Sequence, residues 1–214
     1  MAQRVALIFA AGALAILSQA AHAQDYQVQW ERCGLDPKRR LPPGPDAIEG
    51  CTAVLQAGRE TPRVLAQALV NRGDSYRMRD RAIDRALDDY SQAIRLQPDF
   101  ALAFANRGFT YLFEKQDHER AIKDFDEALR LDPQFASVFY YRAVARSDKG
   151  EFRRAIGDFD QAIRLKPNFA VAWRDRGQAK IALGDQAGGK ADIAEAERVG
   201  RLGLDCMGTA GCGR

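Results

Sequence analysis

The sequence repeats itself at a shift of 34 to 35 residues: Asn71-Arg72-Gly73 returns as Asn106-Arg107-Gly108, and Ala93-Ile94-Arg95-Leu96 returns as Ala162-Ile163-Arg164-Leu165. A period of this length constrains a chain strongly, because one unit cannot bury its own apolar face and has to stack on its neighbours. Four copies follow, over residues 66–98, 101–133, 136–167 and 170–201. Each divides into two apolar-periodic stretches, such as Phe100 to Phe113 and Ala121 to Leu131, separated by the polar Lys115-Gln116-Asp117-His118. Apolar positions three and four apart over such lengths predict amphipathic helices. The unit is a helix hairpin.

Small residues recur in the first helix at Gly73, Gly108, Ala143 and Gly177, and in the second at Ala93, Ala128, Ala162 and Ala196. Beside them stand Tyr90, Phe125, Phe159 and Ile193, large enough to fill the space between hairpins. Pro98, Pro133 and Pro167 close the first three copies and stop their second helices. In this pattern the chain resembles the tetratricopeptide repeat family, with Leu69, Phe104, Phe139 and Trp173 early in the first helices and Ala86, Ala121, Ala155 and Gly189 opening the second. The resemblance implies an all-α, right-handed superhelical array of helix hairpins. Departures include an extra residue between the helices of the first two copies. In the fourth, Arg201 replaces the closing proline and Gly188-Gly189 stands where a helix should begin, which marks that copy as the least stable.

A half-copy precedes the array, since Ala47-Ile48-Glu49-Gly50-Cys51 aligns with Ala121-Ile122-Lys123-Asp124-Phe125. Residues 47–65 are therefore expected to hold a lone capping helix and the start of the first hairpin, with Thr61-Pro62 as its N-cap and first-turn proline. Residues 24–46 form a Pro-rich arm and 202–214 a cysteine-containing tail. One more regularity runs through the copies: Arg72, Arg107, Arg142 and Arg176 each precede an aspartate, Asp89, Asp124, Asp158 or Asp192, by 16 or 17 residues. Constant spacing across a hairpin predicts an arginine–carboxylate pair joining its two helices.

Residues 1–23 read as a secretory signal peptide, from the basic Arg4 through the apolar run Val5–Leu17 to Ala21-His22-Ala23, with cleavage after Ala23. That run is shorter than the ~20 apolar residues that span a bilayer, so no membrane insertion is expected once the leader is removed. A periplasmic or secreted location follows as an expectation. The even count of four cysteines then predicts disulfides, most simply Cys33 with Cys51 and Cys206 with Cys212. The first would pin the arm to the capping helix and contribute about 3 kcal/mol in the chain-entropy model. These spacings lack the short Cys pairs of a zinc site, so no metal is expected.

With 32 basic side chains against 29 acidic ones, mixed along the chain, no basic stripe suited to nucleic acid appears. The run Gly184-Asp185-Gln186-Ala187-Gly188-Gly189-Lys190 has the glycine and lysine spacing of a phosphate loop, but Ala191 stands where Ser or Thr should follow, and the run joins two helices. His118 lies among polar residues of an inter-helix turn, and Ser75, Ser91, Ser137 and Ser147 have no second histidine downstream of the leader to activate them. No catalytic residue and no cofactor site are expected.

What the resemblance does imply is a groove lined by first helices. Copy by copy it would present Asn71, Asp74 and Met78; Leu102, Asn106, Phe109 and Phe113; Tyr140, Tyr141 and Val144; and Arg174, Asp175 and Gln178. An asparagine flanked by aromatics suits an extended peptide or partner helix. The family's clamp for C-terminal carboxylates needs lysines and an arginine, whereas Val70, Asp74, Ser137 and Tyr141 stand at those places, with only Asn106 kept. The sequence thus points to a non-catalytic adaptor that binds another protein or peptide. The alternative is a self-assembling scaffold, a homo-oligomer, or a subunit of a larger complex, joined through the terminal hairpin.

Overall fold

The computed structural model describes residues 24–35 and 46–208, with side chains as far as residue 201. The expected leader and most of the expected Pro-rich arm lie outside these residues, as does the expected Cys206–Cys212 pairing. Everything regular among the described residues is helical: α1 (24–32), α2 (Ala47–Ala57), α3 (Pro62–Ser75), α4 (Ile83–Leu96), α5 (Ala101–Glu114), α6 (His118–Leu131), α7 (Ala136–Asp148), α8 (Phe152–Leu165), α9 (Ala170–Ala182) and α10 (Gln186–Gly208). The chain divides into two compact units, one ending at Pro98 and the other beginning at Asp99.

In the first unit α3 packs on α4, and α2 packs on α3. Gly73 is required here by close approach, since a Cβ on it would sit 2.8 Å from the Tyr90 ring, which is fully buried. The segment read as an arm opens instead as α1, a helix too short for periodicity to reveal. Its Tyr26 and Trp30, four residues apart on one face, join a core of Cys33, Leu35, Cys51, Val54 and Ala68. Gly50 lets α1 and α2 touch, because a Cβ there would lie 2.6 Å from that of Arg32. The expected lone capping helix is thus one half of a hairpin, closed by the Cys33–Cys51 disulfide. Thr61 caps α3 as predicted, its side chain accepting from the Val64 N–H at 3.4 Å with Pro62 in the first turn.

The second unit stacks three hairpins, α5–α6, α7–α8 and α9–α10. Ala121, Ala128, Ala143, Ala155 and Ala162 are fully buried, and Phe125 and Phe159 fill the gaps these small residues leave. In the last hairpin the glycine pair does not delay the helix. Asp185 accepts from the Gly188 N–H at 2.9 Å, so α10 starts at Gln186. Gly189 is held there by space: a Cβ would meet Ile181 at 2.4 Å and the Gly177 carbonyl at 2.6 Å.

The arginine–aspartate spacing resolves into four bidentate pairs. Arg72, Arg107, Arg142 and Arg176 each donate Nε and Nη2 to the two oxygens of Asp89, Asp124, Asp158 and Asp192, at 2.6 to 2.9 Å. The remaining nitrogen of Arg72, Arg142 and Arg176 reaches back to the preceding hairpin: Arg72 to Thr52 at 3.1 Å, Arg142 to Asp126 and Arg176 to Asp160, both at 2.6 Å. The same guanidinium also lies over the early aromatic of its own helix, Arg107 over Phe104, Arg142 over Phe139 and Arg176 over Trp173.

The inserted residue in the first two copies shows at the turn. In copies three and four Gly150 and Gly184 take the left-handed conformation, with φ of 76° and 92°. Arg81 and Gln116 must do so in the first two, at 52° and 53°. The hairpin then closes through a wider loop, the Ala82 N–H bonding Tyr76 O and the Asp117 N–H bonding Tyr111 O. His118, expected in that turn, is the first residue of α6, with Nε2 3.4 Å from Asp148.

Arg72→Met leaves the buried Asp89 carboxylate without its partner and is expected to cost about 3–5 kcal/mol in urea unfolding. Arg72→Met/Asp89→Leu should regain most of that loss. Gln116→Gly relieves a left-handed side chain and should raise stability by about 0.5–1 kcal/mol. For Asp192, burial works to raise the carboxyl pKa, but hydrogen bonds from Arg176 and Lys180 outweigh it and hold the group below its ordinary range. A carboxyl depressed on folding stabilises above its unfolded value, near about 3.9, and that stabilisation is lost as pH falls through the lower folded value. Hydrogen exchange of α9 and α10 between neutral pH and pH ~2 should therefore show acid destabilisation that Asp192→Asn makes shallower.

Candidate functional site

Of the residues expected to line a groove, Asn71, Asp74 and Met78 belong to the first unit; Met78 is exposed, and the other two serve the fold. Asn71 is 8% exposed and donates its amide to Cys33 O at 2.7 Å and Gly34 O at 3.4 Å. Those carbonyls end α1, where helix geometry leaves them without intrahelical donors. Asn71 is a cap for α1, and the main chain it holds is the protein's own. Asp74 accepts from the buried Tyr90 hydroxyl at 2.7 Å. Burial, with Asp74 beside it, holds that phenol far above its ordinary pKa, so it stays protonated and donates to the carboxylate.

The second unit gathers the remainder. Helix α5 touches α7, and α7 touches α9, so the first helices of three hairpins lie side by side. Asn106, Phe109 and Phe113 lie on α5, Tyr140 and Tyr141 on α7, and Arg174, Asp175 and Gln178 on α9. The aromatics form one connected series. Phe113 packs on Phe109 at 4.6 Å between centroids, and both meet Tyr141 edge-on at 5.8 and 5.0 Å. Tyr141 meets Tyr140 at 5.4 Å, and Tyr140 continues to Phe159 and Phe169 at 5.9 and 5.0 Å. Edge-to-face pairs at these distances are favourable beyond the area they bury.

The two ends of the series differ in what they can do. Tyr140 is wedged between hairpins, and its hydroxyl donates to Asp175 Oδ2 at 2.8 Å. Burial first, then that carboxylate, pushes its phenol above the ordinary range, which fixes it as a donor. Phe113 instead keeps 47% of its surface exposed. Asp175 is held from a second side by the exposed Arg174 at 2.9 Å, while Gln178 is exposed.

Next to Asp175 and Gln178 lies a recess of about 300 Å³ between α7, α8 and α9. Val144, Phe159 and Ala179 give it apolar walls, and Ser147 and Asp148 join Asp175 and Gln178 as its polar atoms. Ser147 and Asp148 escaped the sequence reading, although they continue the face of α7 that carries Tyr141 and Val144, at helical spacings of three, four and seven. Ser147 Oγ is buried with no hydrogen-bond partner. The glycine-rich stretch 184–190 is a capped helix start, with the Asp185 carboxylate on the N–H a phosphate would need. Among the described residues no three His, Cys, Asp or Glu side chains are placed to hold a metal, and no helix is long and apolar enough to cross a membrane.

Residues 112–150 match a family model described as TPR repeat, and residues 140–196 match one described as tetratricopeptide repeat. No curated protein sequence matches this one. Among solved structures the chain is similar to MamA, with a TM-score of 0.66 at 22% identity over 74% of this chain and 90% of that one. It is similar to YrrB, described as a TPR protein with an unusual peptide-binding site, with a TM-score of 0.60 at 15% identity over 72% and 76%. A third likeness is to the first TPR of Spaghetti (RPAP3) bound to the HSP90 peptide SRMEEVD, with a TM-score of 0.55 at 22% identity over 58% and 96%. Together with the hairpins, their small-residue contacts and the repeated inter-helix pairs, these matches make residues 112–196 tetratricopeptide repeats and give the chain the all-α fold of that repeat family.

Proposed function

We propose that this protein is a non-catalytic adaptor that binds a peptide segment or helix of another protein along the first helices of its second unit. The observation that supports this most directly is the half-exposed Phe113, continuous with the Phe109–Tyr141 pair. An exposed aromatic backed by an ordered aromatic layer can bury a partner's apolar side chain without first being ordered itself. The likeness to two repeat proteins described with a peptide or a peptide-binding site supports the same reading. The Cys33–Cys51 disulfide supports work in an oxidising compartment, periplasmic or extracellular, in keeping with the leader at residues 1–23.

The competing reading, a scaffold that grows by stacking copies end to end, meets a physical obstacle. Successive hairpins are tied by an arginine reaching the residue two positions after the preceding aspartate, as Arg142 reaches Asp126 and Arg176 reaches Asp160. In the last hairpin that position is Ala194, which offers no acceptor.

A random peptide library panned on the oxidised chain tests the adaptor reading. Selected peptides are expected to bind in the micromolar range and to lose about tenfold in affinity, about 1.4 kcal/mol, against a folded Phe113→Ala/Gln178→Ala variant. Arg153→Ala, an exposed change on α8, should leave binding unchanged. Affinity indifferent to the double substitution would remove the groove as the working surface.

A further inference from the structure

We infer that the recess beside the aromatic series is a pocket for a lysine or arginine side chain of the bound polypeptide. This rests on the adaptor reading and adds the chemistry of what is bound. The recess has the two-part character of such a side chain. Val144, Phe159 and Ala179 form apolar walls that suit a methylene stem, and Ser147, Asp148, Asp175 and Gln178 supply oxygens for a cationic head. Among its lining residues are two carboxylates and no cation. Of the nearby cations only Arg174 bonds a recess carboxylate, on one oxygen of Asp175, whereas Arg146 and Lys180 bond Asp158 and Asp192, and Lys149 is held by Glu119 and Glu151.

Existing partners leave acceptor capacity. Asp175 takes one bond from Tyr140 on Oδ2 and one from Arg174 on Oδ1, while each carboxylate oxygen can accept two. Asp148 keeps half of its side-chain surface exposed, with His118 on one oxygen. A second observation is independent of the carboxylates. Ser147 Oγ, an atom out of contact with solvent, makes no hydrogen bond although it lines the recess. A buried hydroxyl left unpaired is destabilising, and rotation of the serine toward the recess would let an entering N–H donor satisfy it. The volume, about 300 Å³, admits one long side chain.

Register follows from α7. Tyr141 and Asp148 are seven residues apart on one face, about 10 Å along the helix, which an extended peptide covers in about three residues. The bound segment therefore pairs an apolar side chain against Phe113 and Tyr141 with a basic one about three positions away.

An array of extended 12-residue peptides decides this, each with a central phenylalanine and one lysine moved through every other position. Norleucine and glutamate replace the lysine in matched sets, and binding to the oxidised full chain is read by fluorescence anisotropy. Lysine about three positions from the phenylalanine, on one side, is expected to bind at least about tenfold tighter than norleucine, and glutamate weaker than both. Asp148→Asn, isosteric and at an exposed site, should reduce the lysine preference to about threefold or less, as should raising the salt. Binding with equal strength for lysine and norleucine, or a preference untouched by Asp148→Asn, overturns the basic pocket while leaving the groove. If no phenylalanine peptide of any charge binds, the groove and the pocket fall together.

Discussion

A guanidinium with three separate obligations holds this array together. In the third hairpin Arg142 grips both oxygens of Asp158, reaches Asp126 of the preceding hairpin, and lies over the ring of Phe139. Arg176 repeats the arrangement with Asp192, Asp160 and Trp173. Only a planar, permanently charged group with five donors can meet all three at once; lysine has the charge without the fork. Asp158 and Asp192 lie almost wholly out of solvent, which makes each bidentate pair costly to break from one side. Geometry is the gain, since a bidentate pair sets the rotation of one helix against the next, while the buried alanines set only how closely they approach.

That division of labour places the candidate site. Because the second helices carry the aspartates and the large fillers, the pairing faces of the first helices are committed inward at Arg107, Arg142 and Arg176. Residues elsewhere on those helices, Phe113, Tyr141 and Gln178 among them, are left to form a surface of aligned first helices. The surface is rigid for the same reason, with Tyr140 locked by Asp175 and Phe159. A preformed aromatic layer of this kind loses little conformational freedom when a partner arrives.

In the first unit the equivalent positions were redirected. Asn71 occupies in copy one the place of Asn106 in copy two, yet its amide is taken by carbonyls ending α1. The hairpin that includes α1 is short and holds few large apolar residues, and the Cys33–Cys51 bond supplies the constraint its core lacks. Sequence alignment within the chain cannot show where that amide goes, because its partners come from a helix far away in the chain.

Much of the fold was legible in the residues because repetition turns weak local signals into a pattern with four independent readings. Gly73, Gly108 and Gly177 announced close approaches, and the constant spacing from Arg72 to Asp89 and its three successors announced the inter-helix pairs. Helix α1 was not legible, since one short turn-and-a-half of Tyr26 and Trp30 has no second copy to support it. Nor was the start of α10, where two glycines argue against a helix until Asp185 is seen to cap it. The site divides along the same line. The sequence determined which side chains lie on first helices, because helical periodicity fixes the face a residue shares. Only the tertiary structure decided that Asn71 and Tyr140 are occupied, that Phe113 is exposed, and that Ser147 and Asp148 share a recess with Asp175 and Gln178. Exposure and partnership depend on which neighbouring helix covers a position, and that is set by packing between residues far apart in the chain.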